Sequence, residues 1–379
     1  MSRIAIASQS TLGHLLPALS VGREMVKRGN EVIVLAHSMN RALVEQQGCI
    51  YERIEWGRIY PDKFIGEACE ESWRIISKHD IELMLIDATV PAASIAAEKR
   101  NIPWVSYQTS VPLSDDRIPG RKDSHLRIRK IYEEQLNAIR RNYGLPPISD
   151  PEKTRGDLAA LSPYANLVMV MPQIIPDRNR LPPKSIVVGP CFLEEPQPAE
   201  SAFPWKNGTI KVLVCTPSLD NVKFKELTNE YVSLAVEAFR HPSFQVILTD
   251  PSFLHPTRYY PNLVVLLGSS SHHIVLPQVD IVITHGGSGT LLKCIKHGKP
   301  MVIIPLGADH EILAEQCELA GVSKTLQPEQ ISSEQIMKLT LELHNDPVYR
   351  NNAERLARHE LFRDSTSRVI QILHSIINQ

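Results

Sequence analysis

The sequence predicts an α/β protein of two halves, each a doubly wound parallel sheet with helices on both faces. Three observations carry this expectation. Short apolar runs alternate with longer stretches of helical periodicity, the pattern of strands joined by crossover helices. One proline-rich, non-periodic segment, Glu194-Glu195-Pro196-Gln197-Pro198-Ala199-Glu200-Ser201-Ala202-Phe203-Pro204, divides the alternation and reads as an interdomain linker. And 379 residues are long for one domain but suit two of ordinary size.

In the first half the runs at 3–8, 31–36, 50–54, 83–87, 104–107, 166–170 and 185–188 read as strands, and 14–27 and 91–100 as helices. Gly29 stands where the first helix needs a C-cap, and Gly48 does the same for a helix starting near Asn40. In the second half 211–215, 244–249, 263–267, 280–284 and 301–305 read as strands, and 224–240, 289–297 and 311–319 as helices. From Pro347 onward the pattern is helical, with an apolar stripe at Leu356, Leu361, Val369, Ile372, Leu373 and Ile376. The organisation expected is a first domain at 1–193, a linker at 194–208, a second domain at 209–360 and a C-terminal helix at 361–379. Two doubly wound halves put a ligand in the crevice outside the carboxyl ends of the strands.

Composition narrows the function classes. Hydrophobic residues make up 43% and charged residues 22%, which is enough apolar material for two cores. A net charge of −1 argues against nucleic acid as a partner, since that role calls for a strongly basic face. The six cysteines (Cys49, Cys69, Cys191, Cys215, Cys294 and Cys317) include no CxxC pair and read as reduced thiols, neither a disulfide frame nor a zinc site. The apolar opening Ile4-Ala5-Ile6-Ala7 is broken by Ser8-Gln9-Ser10-Thr11, too soon for a signal peptide. No apolar run approaches the ~18 residues of a membrane span. A cytoplasmic protein is expected.

The most informative stretch is Thr284-His285-Gly286-Gly287-Ser288-Gly289-Thr290, which follows a strand and opens a helix. Glycines there let a ligand approach the backbone closely, and the unpaired N–H groups and dipole of a helix N-terminus favour a diphosphate. Ser288 and Thr290 add hydroxyl donors. His285 adds a ring donor, or a positive charge if phosphates raise its pKa. No Gly-Lys-Ser/Thr follows, so this is not a Walker loop, and Leu292 stands where a dinucleotide fingerprint has its third glycine.

His285-Gly286-Gly287-Ser288-Gly289-Thr290, then Gly298-Lys299-Pro300, Ile304-Pro305, Asp309-His310 and Ala320-Gly321, resembles the donor-binding signature of family-one glycosyltransferases. Gly13-His14-Leu15-Leu16-Pro17-Ala18-Leu19, Arg28-Gly29-Asn30-Glu31-Val32, Leu85-Ile86-Asp87 with Ala96-Ala97 and Ile102-Pro103, and Val187-Val188-Gly189-Pro190 look like that family's first-domain motifs. The resemblance covers nearly the whole chain and is dense in the second half. It implies the GT-B fold, two Rossmann-like domains facing a cleft, with a final helix that crosses back to the first domain. It also implies a nucleoside-diphosphate sugar as co-substrate, UDP- or dTDP-linked, with no other cofactor and no metal. Within that family the chain resembles small bacterial natural-product glycosyltransferases.

His14, at the start of a helix after the first strand, suits a general base that removes the proton of an attacking hydroxyl. Asp87, ending another strand of that sheet, suits the group that accepts its other ring N–H and stabilises the imidazolium. A histidine that only caps or packs, and an aspartate that only caps the following helix, are the plainer readings. The resemblance assigns His14 as base and Asp87 as its partner, in a single displacement that inverts the anomeric carbon. It assigns the donor to Thr216, Ser218, His285, Gly286, Gly287, Ser288, Gly289, Thr290, Asp309 and His310.

Several positions depart from the family pattern. Lys293 stands where a glutamate usually binds the ribose, and a lysine cannot accept those hydrogen bonds. The turn opening the second domain, Cys215-Thr216-Pro217-Ser218, lacks its glycine. Gly268-Ser269-Ser270-Ser271-His272-His273 replaces the usual base-reading segment, and Leu313 stands where an asparagine is frequent. The stretch 115–129 carries Arg117, Arg121, Lys122, His125, Arg127 and Arg129, either as a solvated charged loop or as a clamp for a polar or anionic acceptor, with Arg117, Arg121 and His125 as candidates. Transfer of a sugar to a small, polar acceptor is the leading expectation, in a monomer or homodimer. A nucleotide-sugar epimerase or hydrolase of the same fold, and a non-catalytic nucleotide-sugar-binding partner, are the alternatives.

Overall fold

The structure is a computed structural model that describes residues 2–54, 64–111, 122–148, 157–193, 203, 205–217, 222–250, 261–267, 272–307 and 309–378. Its contacts divide the chain into two units, one of Met1–Val170, Asp177–Leu193 and Arg363–Gln379, the other of Met171–Pro176 and Glu194–Phe362.

The first unit holds a seven-stranded parallel sheet of β1 (Arg3–Ala7), β2 (Glu31–Ala36), β3 (Ile50–Arg53), β4 (Leu83–Asp87), β5 (Trp104–Gln108), β6 (Asn166–Val168) and β7 (Ser185–Val187). The strands lie in the order β3-β2-β1-β4-β5-β6-β7, and every pairing is parallel. Its helices are α1 (Leu12–Lys27), α2 (Arg41–Gln46), α3 (Phe64–Lys78), α4 (Pro91–Lys99) and α5 (Lys122–Asn142). The strands read as unbroken apolar runs because both faces of the sheet are covered. Ile4, Ile6 and Val34 pack with Leu15 and Leu19 of α1 on one face, whereas Ala5, Ala7, Ile33 and Leu35 pack with Ile75 and Ile76 of α3 on the other. The chain winds outward from β1 in one direction and from β4 in the other, so the topological switch point lies between them.

The second unit repeats this plan with β8 (Ile210–Cys215), β9 (Phe244–Asp250), β10 (Leu263–Leu267), β11 (Ile281–Thr284), β12 (Met301–Ile303) and β13 (Ser323–Thr325). Their order is β10-β9-β8-β11-β12-β13, which puts the switch point between β8 and β11. The helices here are α6 (Val222–Ala238), α7 (His272–Val275), α8 (Ser288–Lys296), α9 (His310–Leu319), α10 (Ser333–Asn345) and α11 (Pro347–Ala357). The last helix, α12 (Leu361–Ile377), runs into the first unit. Its Val369, Ile370 and Leu373 are fully buried in the cluster that holds Leu15 and Leu19, and Ser365 donates a hydrogen bond to the carbonyl of Pro190 at 2.7 Å.

Some expectations shift. β13 was not anticipated, because Ser323-Lys324-Thr325 has no apolar run; its parallel pairing with β12 makes it a strand. β6 and β12 stop at Val168 and Ile303, short of the apolar residues that prolong their runs. Residues 171–176, inside the span expected for the first domain, group with the second unit. Gly29 and Gly48 take positive φ of 81° and 76° just after α1 and α2, where a left-handed residue ends a helix. Of the linker, 194–202 and 204 lie outside the described residues. The part that is described ties to the second unit, since the Phe203 backbone N–H and the Trp205 ring N–H each donate to Gln278 Oε1 at 3.2 Å.

Candidate active site

In the first unit the switch point brings two loops together. After β1 the chain turns at Ser8–Ser10 into α1, whose N-cap is Thr11. The Thr11 carbonyl accepts from the N–H of His14 at 3.1 Å, so the first turn of α1 sets where that imidazole starts. After β4 the chain passes through Asp87-Ala88-Thr89 into α4. The backbone N–H of Thr89 donates to Asp87 Oδ1 at 3.0 Å, an Asx turn that locks the carboxylate. Asp87 is therefore not the cap of α4; Val90 holds that position, without a side-chain bond. The carboxylate is directed to His14 instead, with Oδ2 at 2.7 Å from Nδ1.

The side chain of Asp87 is 1% exposed and that of His14 24%. Burial pushes the Asp87 carboxyl up, but the charge and hydrogen bond of His14 and the two bonds from Thr89 outweigh it and hold the group below the ordinary carboxylate range. An ionised Asp87 accepts the Nδ1 proton, which puts the lone pair of the neutral imidazole on Nε2. Tyr107, on β5, donates its hydroxyl to the carbonyl of His14 at 3.3 Å.

In the second unit the glycine loop falls at the β8/β11 switch point. Gly286 has a φ of +93°, and a Cβ there would stand 3.1 Å from Ile303 Cγ2 and 3.2 Å from His310 Cβ. At Gly287 a Cβ would come within 2.5 Å of His285 Nε2, so a side chain there would have to displace that buried ring. Gly287 is the N-cap of α8 and offers no side chain to it. The N–H groups of Ser288 and Gly289, which open α8, therefore have no intrahelical acceptor. Around Gly289 there is open space, with nothing within 4 Å of an added Cβ. Thr290 continues this turn, its N–H donating to Gly287 at 3.0 Å.

His285 and His310 meet edge to face, with ring centroids 5.2 Å apart. Both are buried, and both Nδ1 atoms lack a hydrogen-bond partner among the described residues. Burial, with lesser contributions from His310 and His272, pushes His285 down to about 3 in the absence of a phosphate. Burial also lowers His310, partly offset by Asp309 and Glu311. Asp309 is the N-cap residue of α9 but makes no side-chain capping bond.

Thr216, just after β8, gives its hydroxyl proton to the carbonyl of Thr249 at 2.6 Å, so the donor expected to reach a phosphate is engaged within the sheet. Thr249 Oγ1 in turn lies 3.1 Å from His272 Nε2. Burial, then the charges of Lys293 and His273, pushes His272 down to about 3. The same Lys293 ammonium acts on Cys215, at the end of β8. Lys293 itself is half-buried.

Ser218, Arg117 and Arg121 lie outside the described residues, as do 268–271 of the segment expected to read the base. His125 falls on α5, its side chain outside the description; 122–129 are helical, where a loop was one of the readings. Gln9 and Thr89, which bond around Asp87, were missed from sequence, although Asp-x-Thr at a strand end is a legible Asx-turn signal. Among the described residues no group of three or more His, Cys, Asp or Glu is arranged to hold a metal ion, and no helix is long and apolar enough to cross a membrane.

Residues 243–376 match the family described as erythromycin biosynthesis protein CIII-like, C-terminal domain. The 4'-demethylrebeccamycin synthase of Lentzea aerocolonigenes is 22% identical, spanning 99% of this chain and 100% of that protein. The O-mycaminosyltylonolide 6-deoxyallosyltransferase of Streptomyces fradiae is 24% identical, spanning 85% and 84%. Among solved structures, the calicheamicin glycosyltransferase CalG4 superposes with a TM-score of 0.79 over 100% of this chain and 99% of that one, at 17% identity.

Proposed function

We propose that this chain, a GT-B glycosyltransferase of the natural-product type, transfers a sugar with inversion from a nucleoside-diphosphate sugar to a hydroxyl of a small polar acceptor. The observation that carries the reading is the 2.7 Å contact of His14 Nδ1 with the buried Asp87. His14 Nε2 takes the proton of the acceptor hydroxyl as its oxygen attacks the anomeric carbon. The bond from that carbon to the diphosphate breaks, and the leaving group departs with the electron pair. Asp87 fixes the tautomer and stabilises the imidazolium that forms.

The N–H groups opening α8, with the helix dipole, suit the departing diphosphate. Two orphaned imidazole nitrogens beside that loop, on His285 and His310, support a polar ligand there, because buried polar atoms seldom go unpaired. A protein that only bound a nucleotide sugar would need no ionised carboxylate behind a half-buried histidine.

The test combines a nucleotide-sugar panel (UDP-, dTDP- and GDP-linked) with small hydroxylated acceptors, reading the anomeric configuration of the product by NMR. Inversion is expected, and retention would sink the mechanism. His14→Ala is expected to cost about 10²–10⁴ in rate with donor binding nearly intact. Asp87→Asn acts through His14, so combining the two substitutions should cost far less than the product of their separate effects.

A further inference from the structure

Asp87 is bonded more heavily than a partner for His14 requires. Thr89 supplies two donors to Oδ1, its backbone N–H at 3.0 Å and its hydroxyl at 2.8 Å. The backbone N–H of Gln9 approaches Oδ2 at 3.5 Å. The Thr89 hydroxyl, having given its proton to Asp87, accepts from Gln9 Nε2 at 3.2 Å. Gln9 Oε1 then accepts from the Thr11 hydroxyl at 2.9 Å. Thr11 is the N-cap of α1, and its carbonyl takes the N–H of His14. A closed ring of hydrogen bonds thus runs from the imidazole through Asp87, Thr89, Gln9 and Thr11 back to the backbone of His14.

We infer that Gln9 and Thr89 are positioning residues of the transfer reaction, holding the Asp87 carboxylate against His14 and drawing off part of its pull on the imidazolium. This rests on His14 being the base proposed above. A carboxylate that accepts several hydrogen bonds has less charge density to offer any one partner, and each donor in a chain polarises the next. Without the Thr89 hydroxyl, Asp87 attracts the imidazolium more strongly, and the base stays protonated to a higher pH. Among the described residues, the titratable groups facing Asp87 are His14 from α1 and Tyr107 from β5, the latter a buried phenol held neutral by burial first and by Asp87 second. Ser8 and Gln9 after β1, and residues 90–97 into α4, bring no titratable side chain.

The experiment is an NMR titration of the His14 imidazole in the intact protein, with the pH profile of kcat/KM measured alongside. Thr89→Val is expected to move the His14 midpoint upward by about 0.5 pH unit, and the acid limb of the profile should move with it. Thr89→Ser, which keeps the hydroxyl, should bring the midpoint back toward the wild-type value. Gln9→Ala, which leaves every side chain on Asp87 in place, should move it the same way by less, and it carries the test if Thr89→Val does not fold. A wild-type or lowered midpoint in folded Thr89→Val, or in Gln9→Ala if the former does not fold, overturns the inference. If the midpoint rises but the acid limb stays, the hydrogen-bond ring is upheld and the assignment of His14 as base falls.

Discussion

Removing water from around a carboxylate favours its protonated form, and Asp87 is almost wholly buried; yet the hydrogen bonds from His14 and Thr89 reverse that preference. Because the folded group gives up its proton more readily than the unfolded one, whose value is about 4, its contribution to stability has a definite sign. It is fully present above the unfolded value and is lost as pH falls through the folded one. Asp87→Asn should therefore destabilise the protein near neutrality and progressively less as pH falls below the unfolded value of about 4, read as urea midpoints at neutral and acid pH. An equal loss at both would show that the carboxylate charge is not the source. Lys293 offers a second test at this scale. Its ammonium bears on His272 and Cys215 beside the β8/β11 switch point. Lys293→Glu should change nucleoside diphosphate affinity or base preference several-fold, about 1 kcal/mol or more for a charge reversal near a bound anion; identical dissociation constants across a nucleotide panel would make it a surface residue.

The loop that opens α8 separates two demands a glycine can meet. At Gly287 the demand is internal, because a Cβ would strike His285 Nε2 in the protein itself. At Gly289 the space is open, so a methyl group costs the unliganded protein nothing. In this helical position alanine should stabilise it by about 0.5–1 kcal/mol. That methyl would nonetheless fill room beside the N–H groups proposed to receive a diphosphate. Gly289→Ala should raise the melting temperature of the free protein and weaken nucleoside diphosphate binding, whereas Gly287→Ala should lower both. Calorimetry and thermal melts distinguish them, and unchanged affinity in Gly289→Ala would place the diphosphate elsewhere. The glycine spacing made this element readable from sequence. β13 was not, because a three-residue polar strand carries no periodicity and exists through its neighbour β12.

Over the whole molecule, the last helix is remote in sequence from the unit it completes. Val369, Ile370 and Leu373 of α12 sit in the core built by β1, β2 and α1. Burying three such side chains contributes roughly 5–9 kcal/mol before conformational entropy is subtracted. That is comparable to the net stability of a whole domain. Deleting everything after Asp364 should therefore expose the first unit to hydrogen exchange, even though the deleted residues follow the second. Loss of protection confined to the second unit would contradict this role for α12.

The doubly wound plan and the glycine loop were legible in the sequence, because each is written in local spacing, whereas His14 and Asp87 stood out only through the family resemblance. A strand covered on both faces must be apolar throughout, a helix must bury one stripe, and a backbone turning at +93° must be glycine. What the sequence could not decide were pairings between distant residues. Asp87 reads equally well as a helix cap until strand order brings β4 beside β1 and sets it against His14, 73 residues away. The sequence gives no sign that the Thr216 hydroxyl donates to the Thr249 carbonyl, which β9 brings alongside. His285 gives no sign in the sequence that the folded chain buries it beside His310 and lowers its pKa. Local sequence dictates which groups are available, but the protonation and partners of those groups depend on solvent exclusion and on neighbours that only the folded sheet supplies.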